Sequence, residues 1–387
     1  MDFIPTRGAA LAQLDHFLPK AAKYAGLRNF DLGADNHQGV SKLSPYIRTR
    51  LLTEEEVTRA VLTQHSASAA EKFLQEIAWR TYWKGWLEMR PAIWCDYQNS
   101  LKNMNPTGSY QTAISGKTGI DCFDHWVSEL LETGYVHNHA RMWFASIWIF
   151  TLKLPWQLGA DFFLKHLLDA DPAANTLSWR WVAGLHTPGK HYLARASNIE
   201  KYTNGRFNPI GQLDENAKPI PLDRNYEKGP LHLPTNAKPK GRLGHLMFIE
   251  DLAPPPIELG YIDATAAYLP MTHETSPLVS GFLNGSIRDV LTERNGTWLS
   301  GDFQSSLNNW IQEEKLDSIL ISQPTIGLTQ DFLANQNLPS ISQTFIRDWD
   351  RLLWPHATSG FFKLKTVLPK IHLSLAPDRK DDLFPNV

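Results

Sequence analysis

The stretch from Gly134 to Trp181 constrains this chain more than any other: GYVHNHARMWFASIWIFTLKLPWQLGADFFLKHLLDADPAANTLSWRW. It holds five of the 14 tryptophans, yet it carries Arg141, Asp169 and Asp171 beside an apolar run. The large apolar residues between 142 and 168 predict a pair of core helices. A charge next to such a core is costly unless paired, so Arg141 is expected to meet Asp169 or Asp171. Arg141 and Met142 follow Asn138 by three and four residues, which puts all three on one side of a helix. Alone, the stretch describes a tryptophan-rich core with a structural salt bridge as readily as it describes a site.

Other segments add to it. Residues 7–26 space Ala10, Leu14, Phe17, Leu18, Ala21 and Ala25 as a helix, with Gly26 as its stop. In NHQGVSKLSPYIRTR (36–50), Ser41 and Ser44 are candidate helix caps and Pro45 suits a first helical position. Amides and hydroxyls at such a start suit an anion, although, taken alone, the pattern fits an ordinary cap several times better. In QEIAWRTYW (75–83), Glu76, Trp79, Arg80 and Trp83 fall at i, i+3, i+4 and i+7, one helix face. An acid, a guanidinium and two indoles on one face suit a pocket that stacks a base; the plain reading is an amphipathic helix with a Glu–Arg pair. Residues 91–120, rich in Pro, Asn, Gly and Ser, read as loop.

Taken together, GYVHNHARM (134–142), LLDADPAAN (167–175), WRW (179–181), QEIAWRTYW and the 40–44 loop resemble the FAD-binding helical domain of the photolyase/cryptochrome family, over about residues 7–209. The resemblance implies FAD held by Tyr24, Val40, Ser41, Lys42, Leu43, Ser44, Arg80, Asn138, Arg141, Asp169, Ala170, Asp171 and Asn175, with Asn175 facing flavin N5. Val40 departs from the threonine common at its place. It also implies a pyrimidine-dimer pocket of Glu76, Trp79, Asn138, Met142 and Trp181, and electron transfer through Trp179 and Trp156. The third relay tryptophan is absent from its usual place; Trp94, Tyr97 and Tyr110 are the aromatic candidates nearby. Asparagine at 138 favours cyclobutane dimers, so the implied activity is light-driven repair of dimer-containing DNA by a deoxyribodipyrimidine photolyase-like lyase. The alternative is a cryptochrome-like photoreceptor that signals to a protein partner. No particular antenna chromophore is implied.

In the family an antenna domain precedes the flavin domain. Here the chain opens on the helix, and a different section comes last. After 209 the resemblance fades. Residues 210–241 are proline-rich and read as a linker or extended arm. From 242 onward, apolar runs at 245–252, 267–271 and 318–323 alternate with helical patterns at 279–293, 302–315 and 328–336. The fold class is therefore α + α/β: a helical domain (1–209), a linker (210–241) and a small Rossmann-like α/β domain (242–387). No GxGxxG or P-loop marks a nucleotide there. The end, 376–387, reads as loose.

Composition excludes other classes. Two cysteines, Cys95 and Cys122, rule out a disulfide scaffold or a four-cysteine cluster and fit a reducing cytoplasm. The apolar run 142–158 contains Lys153 and Pro155 and is short for a membrane span. No Cys/His spacing indicates a metal; His137 and His139 flank rather than form a metal face. Net charge of −2 does not announce a nucleic-acid binder.

Overall fold

Thr6 caps the Arg7–Phe17 helix by accepting from the Ala9 amide, 3.1 Å. Pro19 cannot donate to a helix ladder, and the single helix expected over 7–26 becomes a 3-10 turn, Leu18–Lys23, followed by Tyr24–Leu27. The computed structural model describes residues 3–106, 108–222 and 224–376; the expected loose end lies, beyond Ala376, outside them. A reciprocal capping box, Thr53 with Glu56, starts the Glu54–Gln64 helix. The Glu71–Glu88 helix follows as expected. Residues 91–120 are not loop: they contain helices Ala92–Lys102 and Gly108–Ile114. Ile93, Trp94 and Tyr97 supply a buried helical face that the surrounding Pro, Gly and Asn concealed.

The core pair forms around two glycines. The Asp121–Thr133 helix ends on Gly134 at φ 67, where a Cβ would come 2.7 Å from Leu168 Cγ. The Asn138–Ser146 helix runs into a π-helical turn, Ile147–Thr151. It breaks before Pro155 and resumes as Trp156–His166. Pro172–Ala183 packs against this second helix. A Cβ on Gly159 would lie 2.3 Å from the Trp179 ring, so only glycine lets that indole seat there.

The last section forms a five-stranded parallel sheet: β1 Leu243–Met247, β2 Ala264–Ala267, β3 Thr297–Trp298, β4 Ser318–Ser322 and β5 Ser342–Phe345. Its order is β3-β2-β1-β4-β5, the doubly wound arrangement. Leu246 pairs with Ala266 on one side and Ile321 on the other. Helices Pro277–Glu293, Phe303–Glu314 and Leu328–Leu333 connect the later strands. The second strand starts earlier than the expected 267–271; the chain leaves the sheet at Tyr268, and Pro270 could not have donated to a ladder. β3 and β5 are short and partly polar, and carried no alternation to read.

Both halves share one apolar core, in which Leu252, Phe282 and Leu353 join residues of the helical half. The seam also holds charge. Buried Arg50 reaches Glu54 at 3.2 Å, Asp251 at 3.0 Å and Asp350. Burial would raise the Asp251 carboxyl, but Arg347 and Arg50 hold it far below the usual range. After β5, helices Asp348–Leu353, Phe361–Lys365 and Leu368–Leu375 return to the helical half. There Trp349 Nε1 donates to Thr81 Oγ1, 2.7 Å. Residues 210–222 and 224–241 form no helix or strand, and Tyr226 Oη donates to Asp96, 2.8 Å. No helix among the described residues is long and apolar enough to cross a membrane.

Candidate functional site

The charged residues of the organising stretch do pair. Arg141 Nη1 meets Asp169 Oδ1 at 2.9 Å, and Arg141 Nε donates to the Val136 carbonyl, 2.8 Å. Arg80 pairs with Asp171 and donates to the Asp169 carbonyl at 3.2 Å. Asp169 is buried, which alone would raise its pKa; Arg141 and then Arg80 hold it below the ordinary carboxylate value. Asp171 also caps Pro172–Ala183, accepting from the Ala174 amide at 2.8 Å. One turn on, Asn175 Nδ2 donates to the Ala160 carbonyl, 2.6 Å, which leaves the amide oxygen as its acceptor end. Two acid–base pairs and one oriented amide thus crowd the start of one helix.

The 40–44 loop meets this cluster from the other side. Ser44 does not cap the short Ser44–Arg48 helix; Leu43 is the cap position and no side chain fills it. The Ser44 hydroxyl instead bonds Asp169. The Ser41 carbonyl accepts from Gln13, 2.7 Å, Val40 and Leu43 are buried, and the Ala170 carbonyl accepts from Arg48, 2.9 Å. Lys42 sits at φ 55, in the left-handed region unusual for a side-chain-bearing residue. Among the described residues it has no carboxylate partner, and burial followed by nearby Lys20 lowers its pKa. An uncompensated cation in a turned loop is a natural counter-charge for an anion.

The expected substrate residues divide. Asn138 and Met142 line one pocket of about 400 Å³ with Arg28, Asn29, His139, Tyr192, Arg195 and Tyr202. Arg141 turns off this face toward Asp169. Glu76 pairs with Arg28 of the pocket wall; burial pushes its carboxyl up against the pull of Arg28. Tyr24 lies beneath the Arg28 guanidinium, 6.0 Å from its ring centre. Trp181 stacks on Tyr192, rings 5.8 Å apart at 24°. Trp79 stands apart. Its ring lies parallel to Phe361 of the Phe361–Lys365 helix, 4.0 Å away at 9°. The indole face expected to meet a base is taken by a side chain of the same protein.

The aromatic chain also differs from expectation. The Trp179 ring touches Trp148 at 6.1 Å, and Trp148 touches Tyr110 at 5.9 Å. Trp156 stacks instead on Tyr97, 5.7 Å, and Tyr97 contacts Trp94, 5.4 Å. Sequence reasoning missed Arg28, Arg195, Asn198 and Tyr202 of the pocket, as well as Phe361 and Trp148. Arg195, Asn198 and Tyr202 stand at i, i+3 and i+7, a spacing that was there to be read. Nothing in sequence placed Phe361 against Trp79.

Part of the chain matches a known domain. Residues 73–217 match the FAD binding domain of DNA photolyase. The deoxyribodipyrimidine photo-lyase of Alkalihalophilus pseudofirmus is 30% identical over 206 residues, covering 51% of this chain and 40% of that protein. That of Vibrio cholerae is 26% identical over 206 residues, covering 51% and 43%. Among solved structures, a bacterial class III photolyase from Agrobacterium tumefaciens is 25% identical with a TM-score of 0.44, covering 51% of this chain and 43% of that one. The chain therefore spans about half the length, or less, of the relatives it matches. The residues suit FAD: Lys42 offers charge for a pyrophosphate, Arg141 and Arg80 are fixed by buried carboxylates, Asn175 presents an acceptor, and buried Trp179 Nε1 has no hydrogen-bond partner among the described residues.

Proposed function

From the premise that residues 73–217 are a FAD-binding domain of the photolyase/cryptochrome family, we propose that the protein reverses cyclobutane pyrimidine dimers in DNA under blue light. The observation that carries this reading is the pocket shared by Asn138 and Met142 with Arg28, Arg195, Tyr192 and Tyr202. Its volume falls in the range of sites that enclose a small ligand. Two guanidinium groups suit the phosphates flanking a flipped dinucleotide, and the tyrosine rings suit its bases. FAD, when bound in its reduced form, would supply one electron under light. The reversal consumes no net electron: two cyclobutane carbon–carbon bonds break, the two C5=C6 double bonds are restored, and the electron would return.

The side chains supply position and charge. The Asn138 amide orients pyrimidine carbonyl and imide groups, and the Met142 thioether keeps water from that edge. Burial pushes the Glu76 carboxyl up against the pull of Arg28, which favours an acid that can donate to an oxygen that gains charge. Arg28 fixes its orientation. The test is reduced, FAD-loaded protein with a dimer-containing oligonucleotide in blue light, read by restored thymine absorbance. Repair on single- or double-stranded substrate is expected; its absence on both rejects the proposal.

One observation favours a second reading. Phe361 on Trp79 closes the stacking face, as suits a light sensor whose carboxy-terminal helices are released to a protein partner. Light-driven change in oligomeric state or partner binding, without repair, would select it.

A further inference from the structure

One buried cluster has no role in the reading above. Asp31, His37 and Glu129 each offer one ligand atom, and those atoms lie within 4.8 Å of one another. They come from the segment after Tyr24–Leu27, from the turn before Val40, and from the Asp121–Thr133 helix. Relative exposures are 0%, 2% and 4%, so solvent compensates none of their charge. Two carboxylates at that depth require positive charge. Arg206 reaches only the Asp31 side, 3.5 Å from Oδ1, and His125 stays 3.9 Å from Glu129.

The internal hydrogen bonds do not complete the cluster. His37 Nε2 lies 2.9 Å from Glu129 Oε1. That contact leaves Glu129 Oε2 and His37 Nδ1 buried without a hydrogen-bond partner among the described residues, His125 standing 3.9 Å from Oε2. His137, whose ring centre is 5.4 Å from that of His37, also has a buried Nε2 with no partner. Three orphaned polar atoms in one place exceed what a satisfied interior leaves. Asp31 is meanwhile oriented from behind, with Trp126 Nε1 donating to Oδ2 at 2.9 Å. Metal-ligating side chains are commonly held by such outer hydrogen bonds.

We propose that Asp31, His37 and Glu129 bind one divalent first-row transition-metal ion. One imidazole and two carboxylates form a donor set that zinc, manganese or iron(II) accepts, with room for a further ligand. A divalent ion matches the two carboxylate charges and gives the open Glu129 oxygen a partner. His37 stands three residues before Val40, so the ion ties the 40–44 loop to the Asp121–Thr133 helix. The role is structural and does not depend on which reaction the flavin site performs.

The test uses untagged full-length protein, stripped with a chelator and dialysed. Zinc and manganese are titrated by calorimetry, and cobalt(II) is followed by its visible ligand-field bands. Elemental analysis of untreated protein gives stoichiometry. One ion per chain and a rise in Tm on adding back about a hundredfold excess are expected. Glu129→Gln and His37→Asn should weaken binding on the order of 100-fold. Circular dichroism establishes that these variants are folded, and where they are not, the wild-type cobalt spectrum decides. Less than about a tenth of an ion per chain at that excess overturns the proposal. So does binding unchanged in both folded variants, or a cobalt spectrum without nitrogen coordination. Those outcomes would leave an Arg206–Asp31 and His37–Glu129 ion-pair network only.

Discussion

Replacing Phe361 tests whether the covered indole belongs to the substrate site. The Phe361 side chain is buried, and its ring stacks on Trp79 at 4.0 Å and 9°. Phe361→Ala removes a core aromatic, so a stability loss of about 3 kcal/mol is expected, from burial and cavity terms together. The stack itself is worth about 0.5–1.5 kcal/mol. If a pyrimidine must occupy that face, Phe361 has to leave first, and binding bears that cost. Removing the ring should then tighten dimer-containing DNA by roughly 2- to 12-fold. Phe361→Leu keeps apolar bulk without the flat face and should recover most of the stability but not the competition. The assay is fluorescence anisotropy with a labelled oligonucleotide, on wild type, both Phe361 variants, Trp79→Ala and the Phe361→Ala/Trp79→Ala pair. In the cycle the gain should vanish when Trp79 is absent. An unchanged affinity in folded Phe361→Ala refutes the reasoning, as does a gain of equal size without Trp79. Trp79 would then be a core residue and Phe361 its structural neighbour.

Further outcomes follow from the same site. Glu76→Ala should retain FAD yet lower the repair yield per photon, since a hydrogen bond to a charged group is worth about 1.5–3 kcal/mol; an unchanged yield would remove Glu76 from the chemistry. Asp169→Asn leaves the Arg141 guanidinium short of its buried counter-charge, while Arg80 keeps Asp171. A cost of about 3–5 kcal/mol is expected, read as lower Tm and lost FAD, and a variant with both intact would contradict the pairing. Trp179→Phe should abolish photoreduction, and Trp148→Phe should slow it more than Trp156→Phe, because Trp148 is in ring contact with Trp179 whereas Trp156 stacks on Tyr97; the reverse order would favour the Trp156–Tyr97 branch. Burial raises Glu88 to about 7, against the pull of the Ile326 amide. A raised carboxyl stabilises the fold below its unfolded pKa, so stability should fall between about pH 4.5 and 7. Glu88→Gln should flatten that fall in denaturant titrations, and an unaltered slope would exclude Glu88 as its source.

What the sequence determined was local or repeated. The apolar run to 168 and the helical spacing in 75–83 fixed the helices, because periodic burial is written residue by residue. The need to compensate Arg141 beside a core made its pairing with Asp169 legible. The strand-and-helix alternation after 242 was legible too, although β3 and β5 are too short to show a period. Tertiary structure alone decided what those elements meet. It turned Arg141 away from Asn138 and Met142, since one residue of helix rotation separates the pocket from the Asp169 carboxylate. It brought Phe361 onto Trp79 across 282 residues of chain (361 minus 79). It also gathered Asp31, His37 and Glu129, which no spacing relates. Contacts of that kind depend on how whole helices stack, and stacking is a property of summed surfaces rather than of any one segment's pattern.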